Sequence, residues 1–68
     1  MTVTHIQYTD LTYPELNNLL DFIGATPEIR PNIFKLDNDN YRCHLRLVTA
    51  TPDEASVLQD SIIREFPI

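Results

Sequence analysis

Two tetrads of one kind divide this chain: Thr12-Tyr13-Pro14-Glu15 and Thr51-Pro52-Asp53-Glu54. In each, the threonine hydroxyl can accept from the backbone amide three residues on, and the glutamate carboxylate can reach back to the threonine amide. That reciprocal arrangement is a capping box and marks a helix start. Proline in the first turn fits, because the amide it lacks has no intrahelical partner there. After the first tetrad, Leu16, Leu19, Leu20 and Ile23 recur at i, i+3, i+4 and i+7 as one apolar stripe. Gly24, the only glycine, stands where a left-handed C-cap is wanted, so the spacing predicts a helix over 12–24. After the second tetrad, Ala55, Leu58, Ile62 and Phe66 form the stripe, flanked by Val57 and Ile63. Asp53 and Glu54 lie near the positive helix end and Arg64 near the negative end, as the helix dipole favours, and Pro67 stops the helix.

The remaining segments read as strands. Thr2 to Tyr8 is rich in β-branched and aromatic residues and alternates with period two. Ala25 to Pro31 reads as a connector, because Pro27 and Pro31 bracket Glu28-Ile29-Arg30. Ile33–Leu36 and Tyr41–Val48 flank Asp37-Asn38-Asp39-Asn40, a strong turn signal, since Asn and Asp tolerate positive φ and bond their own backbone. An even loop pairs Leu36 with Tyr41, Lys35 with Arg42, Phe34 with Cys43 and Ile33 with His44, so that apolar meets apolar. An odd loop mixes the faces, because one slip inverts every side chain. The expectation is therefore the even register, with Phe34 and Tyr41 pointing inward.

The element order is β-α-β-β-α. Both helices and the sheet are one-sided, which predicts an α+β domain over 1–68: a three-stranded antiparallel sheet with both helices on one face. A right-handed first crossover and strand order 1-3-2 resemble a ferredoxin-like arrangement without its fourth strand. Strand 1 is then an open edge, a template for pairing with another chain, and the expectation is a homodimer through that edge. The chain's 68 residues form one domain or less, with a thin stability margin and little room for an enclosed cleft. No run reaches the ~18 apolar residues of a membrane helix. Cys43 is the only cysteine, so there is no disulfide framework, and the setting expected is cytoplasmic.

Catalytic constellations are missing from the pattern. Cys43 and His44 are consecutive on a strand and face opposite sides, so they cannot act together within one subunit. His5 and His44 lack a third ligand for zinc. The turn tetrad resembles a calcium loop but has Arg42 where glycine is needed and Val48 where a bidentate glutamate is needed. One glycine leaves no phosphate-cradling loop. The expectation is no enzyme, no metal and no cofactor.

Charge is the informative feature. Residues 32–48 carry Lys35, Arg42 and Arg46 against Asp37 and Asp39, net +1, while the rest carry Arg30 and Arg64 against eight acids, net −6. The outward sheet face is thereby expected to present Lys35, Arg42, His44, Arg46 and His5, with Gln7 beside them, as a partner-binding surface. Antiparallel sheets commonly leave such a face to water, and Lys35 opposite Arg42 is an unfavourable pair unless something anionic covers it. The leading expectation is a small acidic interaction module that binds a protein, in its most concrete form an inhibitor of a nucleic-acid-handling machine. Small inhibitors carried by phages and mobile elements share this size and charge. Polyanion or nucleic-acid binding on the basic face is the weaker reading, because the whole chain is acidic at −5 and the face offers no aromatic pair for stacking.

Overall fold

The computed structural model describes all 68 residues, Met1–Ile68. Its elements are β1 (Thr2–Leu11), α1 (Tyr13–Ile23), β2 (Ile29–Lys35), β3 (Tyr41–Thr49) and α2 (Pro52–Glu65). The three strands form an antiparallel sheet in the expected order β1-β3-β2. The chain is thus an α+β fold with β3 in the middle and two edge strands.

Both helices begin at their threonines. The Glu15 amide donates to Thr12 Oγ1 at 3.4 Å, and the Thr12 amide donates to the Glu15 carboxylate at 3.0 Å, so the first box is complete. The bond from the Thr12 amide, with a second from the Thr12 hydroxyl at 2.8 Å, holds the Glu15 carboxyl below its ordinary range. The second box forms only in half. The Glu54 amide donates to Thr51 Oγ1 at 3.2 Å, but the Glu54 carboxylate accepts from the Ala50 amide at 3.4 Å, one residue upstream of the cap. Gly24 ends α1 at φ 59°, the left-handed region that glycine enters without steric cost.

The core lies between the helices and one sheet face. Ile6, Tyr8, Cys43, Leu45, Leu47 and Ile29 point from the strands toward Leu16, Leu19 and Ile23 of α1 and Ile62 of α2. Leu19, Leu45, Leu47, Ile62 and Cys43 are at most 1% exposed. Burying a side chain of this size stabilises by about 1.5–3 kcal/mol, so most of the stability margin sits here. The Tyr8 hydroxyl donates to the Phe66 carbonyl, tying β1 to the end of α2. Phe22 meets Phe66 edge-on with ring centroids 5.4 Å apart, joining the two helices.

β1 runs past the expected end at Tyr8. Its pairing shifts by one residue between Tyr8 and Leu11, a bulge in which Asp10 takes φ 61°. The bulge turns the Asp10 carboxylate to the hairpin turn, where it accepts from Asn38 Nδ2 at 2.7 Å and Asn40 Nδ2 at 3.0 Å. These two amide bonds hold the Asp10 carboxyl below its usual range. The polar tetrad that resembled a calcium loop therefore serves as a latch between the hairpin and β1.

The hairpin register differs by one residue from the even pairing. Lys35 pairs with Tyr41, Phe34 with Arg42, Ile33 with Cys43 and Asn32 with His44. The Leu36 amide donates to the Asn40 carbonyl at 2.7 Å and the Asp39 amide to the Leu36 carbonyl at 3.1 Å. Asp39 adopts φ 67°. This is a three-residue loop closed by a left-handed residue, a geometry that aspartate tolerates. The slip moves Lys35 to the helix side and Phe34 to the outer side. Ile33 faces the helices yet stays 44% exposed, because both helices lie over β3, and α2 also over β1.

β2 also starts earlier than the prolines suggested. The Val48 amide donates to the Glu28 carbonyl at 2.8 Å, and Leu36 bonds Asn40, so the even-numbered residues of β2 turn their backbone groups toward β3. Pro31 is odd-numbered. Its missing N–H falls on the open edge and interrupts no ladder bond, which is where a strand accepts proline.

Candidate docking surface

The outer sheet face follows from the pleat and the registers. β3 contributes Arg42, His44, Arg46 and Val48; β1 contributes Val3, His5 and Gln7; β2 contributes Arg30, Asn32 and Phe34. Four of the five residues expected at a binding surface, His5, Arg42, His44 and Arg46, are brought together there. Lys35 is not. It lies on the helix side of β2, with Nζ 3.8 Å from the Asp39 carboxylate in an exposed pair. Two residues join in its stead. Arg30 stands directly opposite Arg46, and Phe34 stands opposite Arg42 with 54% of its surface exposed.

Arginine is the defining chemistry. Lys35–Asp39 is the only salt bridge in the molecule, so Arg30, Arg42 and Arg46 have no carboxylate within 4.0 Å. None of the strand positions of this face is Asp or Glu. The charge thus divides into +3 on the face, from Arg30, Arg42 and Arg46, and −8 elsewhere, from Lys35 and Arg64 against ten acids. Arg30 across from Arg46 is a like-charge cross-strand pair, mildly unfavourable until an anion lies over it. A shallow depression of about 590 Å³ opens between them, lined by Met1, Pro27, Glu28, Arg30, Arg46 and Val48, with Glu28 as its one carboxylate. A planar guanidinium presents a fork of donors that matches carboxylate and phosphate oxygens in pairs.

Beside the arginines lies a histidine pair. His5 Nδ1 and His44 Nε2 are 2.9 Å apart, with ring centroids 4.9 Å apart and planes tilted by 30°. In such a bond one ring nitrogen donates and the other accepts. His5 and His44 reach each other because β1 pairs Gln7 with His44 and His5 with Arg46, which sets the two rings on a diagonal.

Cys43 is separated from this face. It is fully buried on the helix side, and burial pushes its thiol up from the ordinary range. His44 turns outward, as alternation requires. No group of three or more His, Cys, Asp or Glu side chains is placed to hold a metal ion, and no helix is long and apolar enough to cross a membrane.

The two residues that sequence reasoning missed were signalled in part. Arg30, Asn32 and Phe34 continue with period two up to the turn, but Pro31 makes Arg30 read as part of a connector, and the even register turns Phe34 inward. No family model matches the chain, and neither does any curated protein or solved structure.

Proposed function

We propose that the chain is a small non-enzymatic binding module that docks an anionic surface of a protein partner on its outer sheet face. The observation that carries this reading is the set of three arginines without an ion-pair partner on a face whose strand positions hold no carboxylate, with Glu28 the one acid beside them. Native surfaces intersperse charges of both signs, and a one-sign patch raises the local concentration of the opposite charge. The remaining −8 supports the reading further, because a net acidic remainder repels anionic surfaces and so orients their approach toward the arginines. In its most concrete form the module occupies part of a nucleic-acid-handling machine, its acidic helical side standing where phosphates otherwise bind. A lone thiol without a disulfide partner is in keeping with a reducing, cytoplasmic setting.

Phe34 favours a second reading. An exposed aromatic ring among arginines is the composition of a single-strand stacking platform. One titration separates the two. A fluorescent polyglutamate peptide and a single-stranded oligonucleotide are each titrated with the protein at low salt, using the wild type, Arg42→Glu/Arg46→Glu and Phe34→Ala. The protein reading expects peptide binding that the charge reversal abolishes and Phe34→Ala leaves intact. Tighter oligonucleotide binding that Phe34→Ala weakens about tenfold selects the nucleic-acid reading. Absence of binding to either probe removes both.

A further inference from the structure

The two edges of the sheet are not equivalent, and the hydrogen-bond parity shows how. The even-numbered residues of β3 bond β2, so its odd-numbered residues, Tyr41 to Thr49, face β1. Their partners in β1 are Leu11, beyond the bulge, and Tyr8, Ile6, Thr4 and Thr2. The backbone N–H and C=O groups of Val3, His5 and Gln7 therefore point away from the sheet and have no partner in the chain. On the other edge, the outward groups of β2 belong to Ile29, Pro31, Ile33 and Lys35. Proline there supplies no donor and lysine adds charge, two devices that keep edges from pairing. β1 has neither. From Thr2 to Tyr8 it contains no Lys, Arg, Asp, Glu, Pro or Gly.

From this we infer that a second copy of the chain adds antiparallel to β1, about a two-fold axis through His5. Backbone parity requires odd-numbered residues to face odd-numbered residues. Centring on His5 also uses the whole regular segment from Thr2 to Tyr8 on both copies. Val3 then faces Gln7 of the second copy, His5 faces His5, and Gln7 faces Val3. Each of these three pairs exchanges two backbone bonds. On the helix side Thr4 faces Ile6 and Thr2 faces Tyr8, so no opposed pair sets like formal charges together. A strand with no fixed charge and a self-matching register suits another copy of itself, whereas a foreign strand gains no side-chain selectivity from it. The bulge at Thr9–Asp10, where φ turns positive, ends the pairing symmetrically at both ends.

The axis stands perpendicular to the sheet, so the product is a six-stranded sheet with all four helices on one side. Its other side carries both arginine sets and a row of imidazoles, His44-His5-His5-His44, across the seam. The dimer goes beyond the docking reading and does not depend on it.

Light scattering after size exclusion, across a dilution series, tests the pairing with no ligand present. The expected mass rises with concentration from one 7.9 kDa chain toward two. Gln7→Pro deletes one outward donor without touching the β3 ladder and is expected to stay a folded monomer by circular dichroism. Val3→Lys/Gln7→Lys sets lysine against lysine twice and is expected to weaken association about tenfold, whereas Val3→Glu/Gln7→Lys restores it. A one-chain mass at every concentration overturns the inference. So does a dimer undiminished in folded Gln7→Pro, or equal association of the two charge-paired variants, which decides the matter if Gln7→Pro does not fold. Peptide binding by the monomeric variants is scored separately, so loss of the dimer and loss of docking are told apart.

Discussion

β1 and β2 flank the same central strand, yet they are held by different forces. β1 buries Ile6 and Tyr8 to 2% and 6% exposure and reaches α2 through the Tyr8 hydroxyl. β2 buries only Ile29, and its other side chains remain exposed. It rests on the backbone ladder to β3 and on the turn latched by Asp10. Side chains freed from core duty are available for contact, which is why Arg30 and Phe34 can stand on the outer face. The comparison teaches that a chain this short divides its strands between making the core and presenting a surface.

Truncation at matched positions gives the sharpest break. Ile6→Ala in β1 is expected to cost about 2–5 kcal/mol of unfolding free energy, and Ile33→Ala in β2 about 0.5 kcal/mol, both read from urea melts. Equal losses would show that β2 is packed as deeply as β1 and would remove the distinction. A smaller effect is expected at the β1–α2 tie: Tyr8→Phe deletes one donor and should cost about 0.5–1.5 kcal/mol. Burial also holds the Tyr8 hydroxyl protonated beyond its ordinary range, with the thiolate form of Cys43 adding repulsion, so this bond persists well into alkaline solution.

The latch makes the smallest and most conditional contribution. The Asp10 carboxyl titrates below its unfolded value, so its stabilisation is present above the unfolded pKa and disappears as pH falls through the folded one. Wild type should therefore lose stability between roughly pH 5 and pH 2, and Asp10→Ala should lose less over the same interval. Glu15, shifted in the same direction by its cap, leaves part of the slope in both proteins. Identical pH profiles would show that the turn holds its shape without Asp10. Hydrogen exchange at the Phe34 and Asn32 amides would then show whether β2 depends on the latch.

Much of this architecture was legible because local chemistry and the global fold agree. The capping tetrads, the apolar stripes and Gly24 placed both helices to within a residue, and period-two alternation placed β3 and its inward side. The hairpin register was not legible. Ile33 and Phe34 are both apolar, so either can be set against Cys43, and only the loop decides between them. Asp37-Asn38-Asp39-Asn40 suits a loop of even or odd length, and the left-handed turn at Asp39 selects the odd one. That single step exchanged Lys35 for Phe34 on the outer face. Arg30 was hidden for a different reason: Pro31 breaks helices and central strands but is harmless on an edge, and the position of an edge is a tertiary property. Arg42, His44 and Arg46 lie on the outer face as expected because β3 is central and its alternation is unambiguous, and His5 joins them because β1 alternates in the same way.

Cys43 sits in the central strand with no exposed surface, and it is the only thiol in the chain. A thiol reagent can reach it only when the sheet and helices part. Its modification rate therefore counts openings of the whole molecule, with fraying ends and the outer face silent. The protein carries its own clock for global opening, one that needs no attached dye and can be read while a candidate partner is bound.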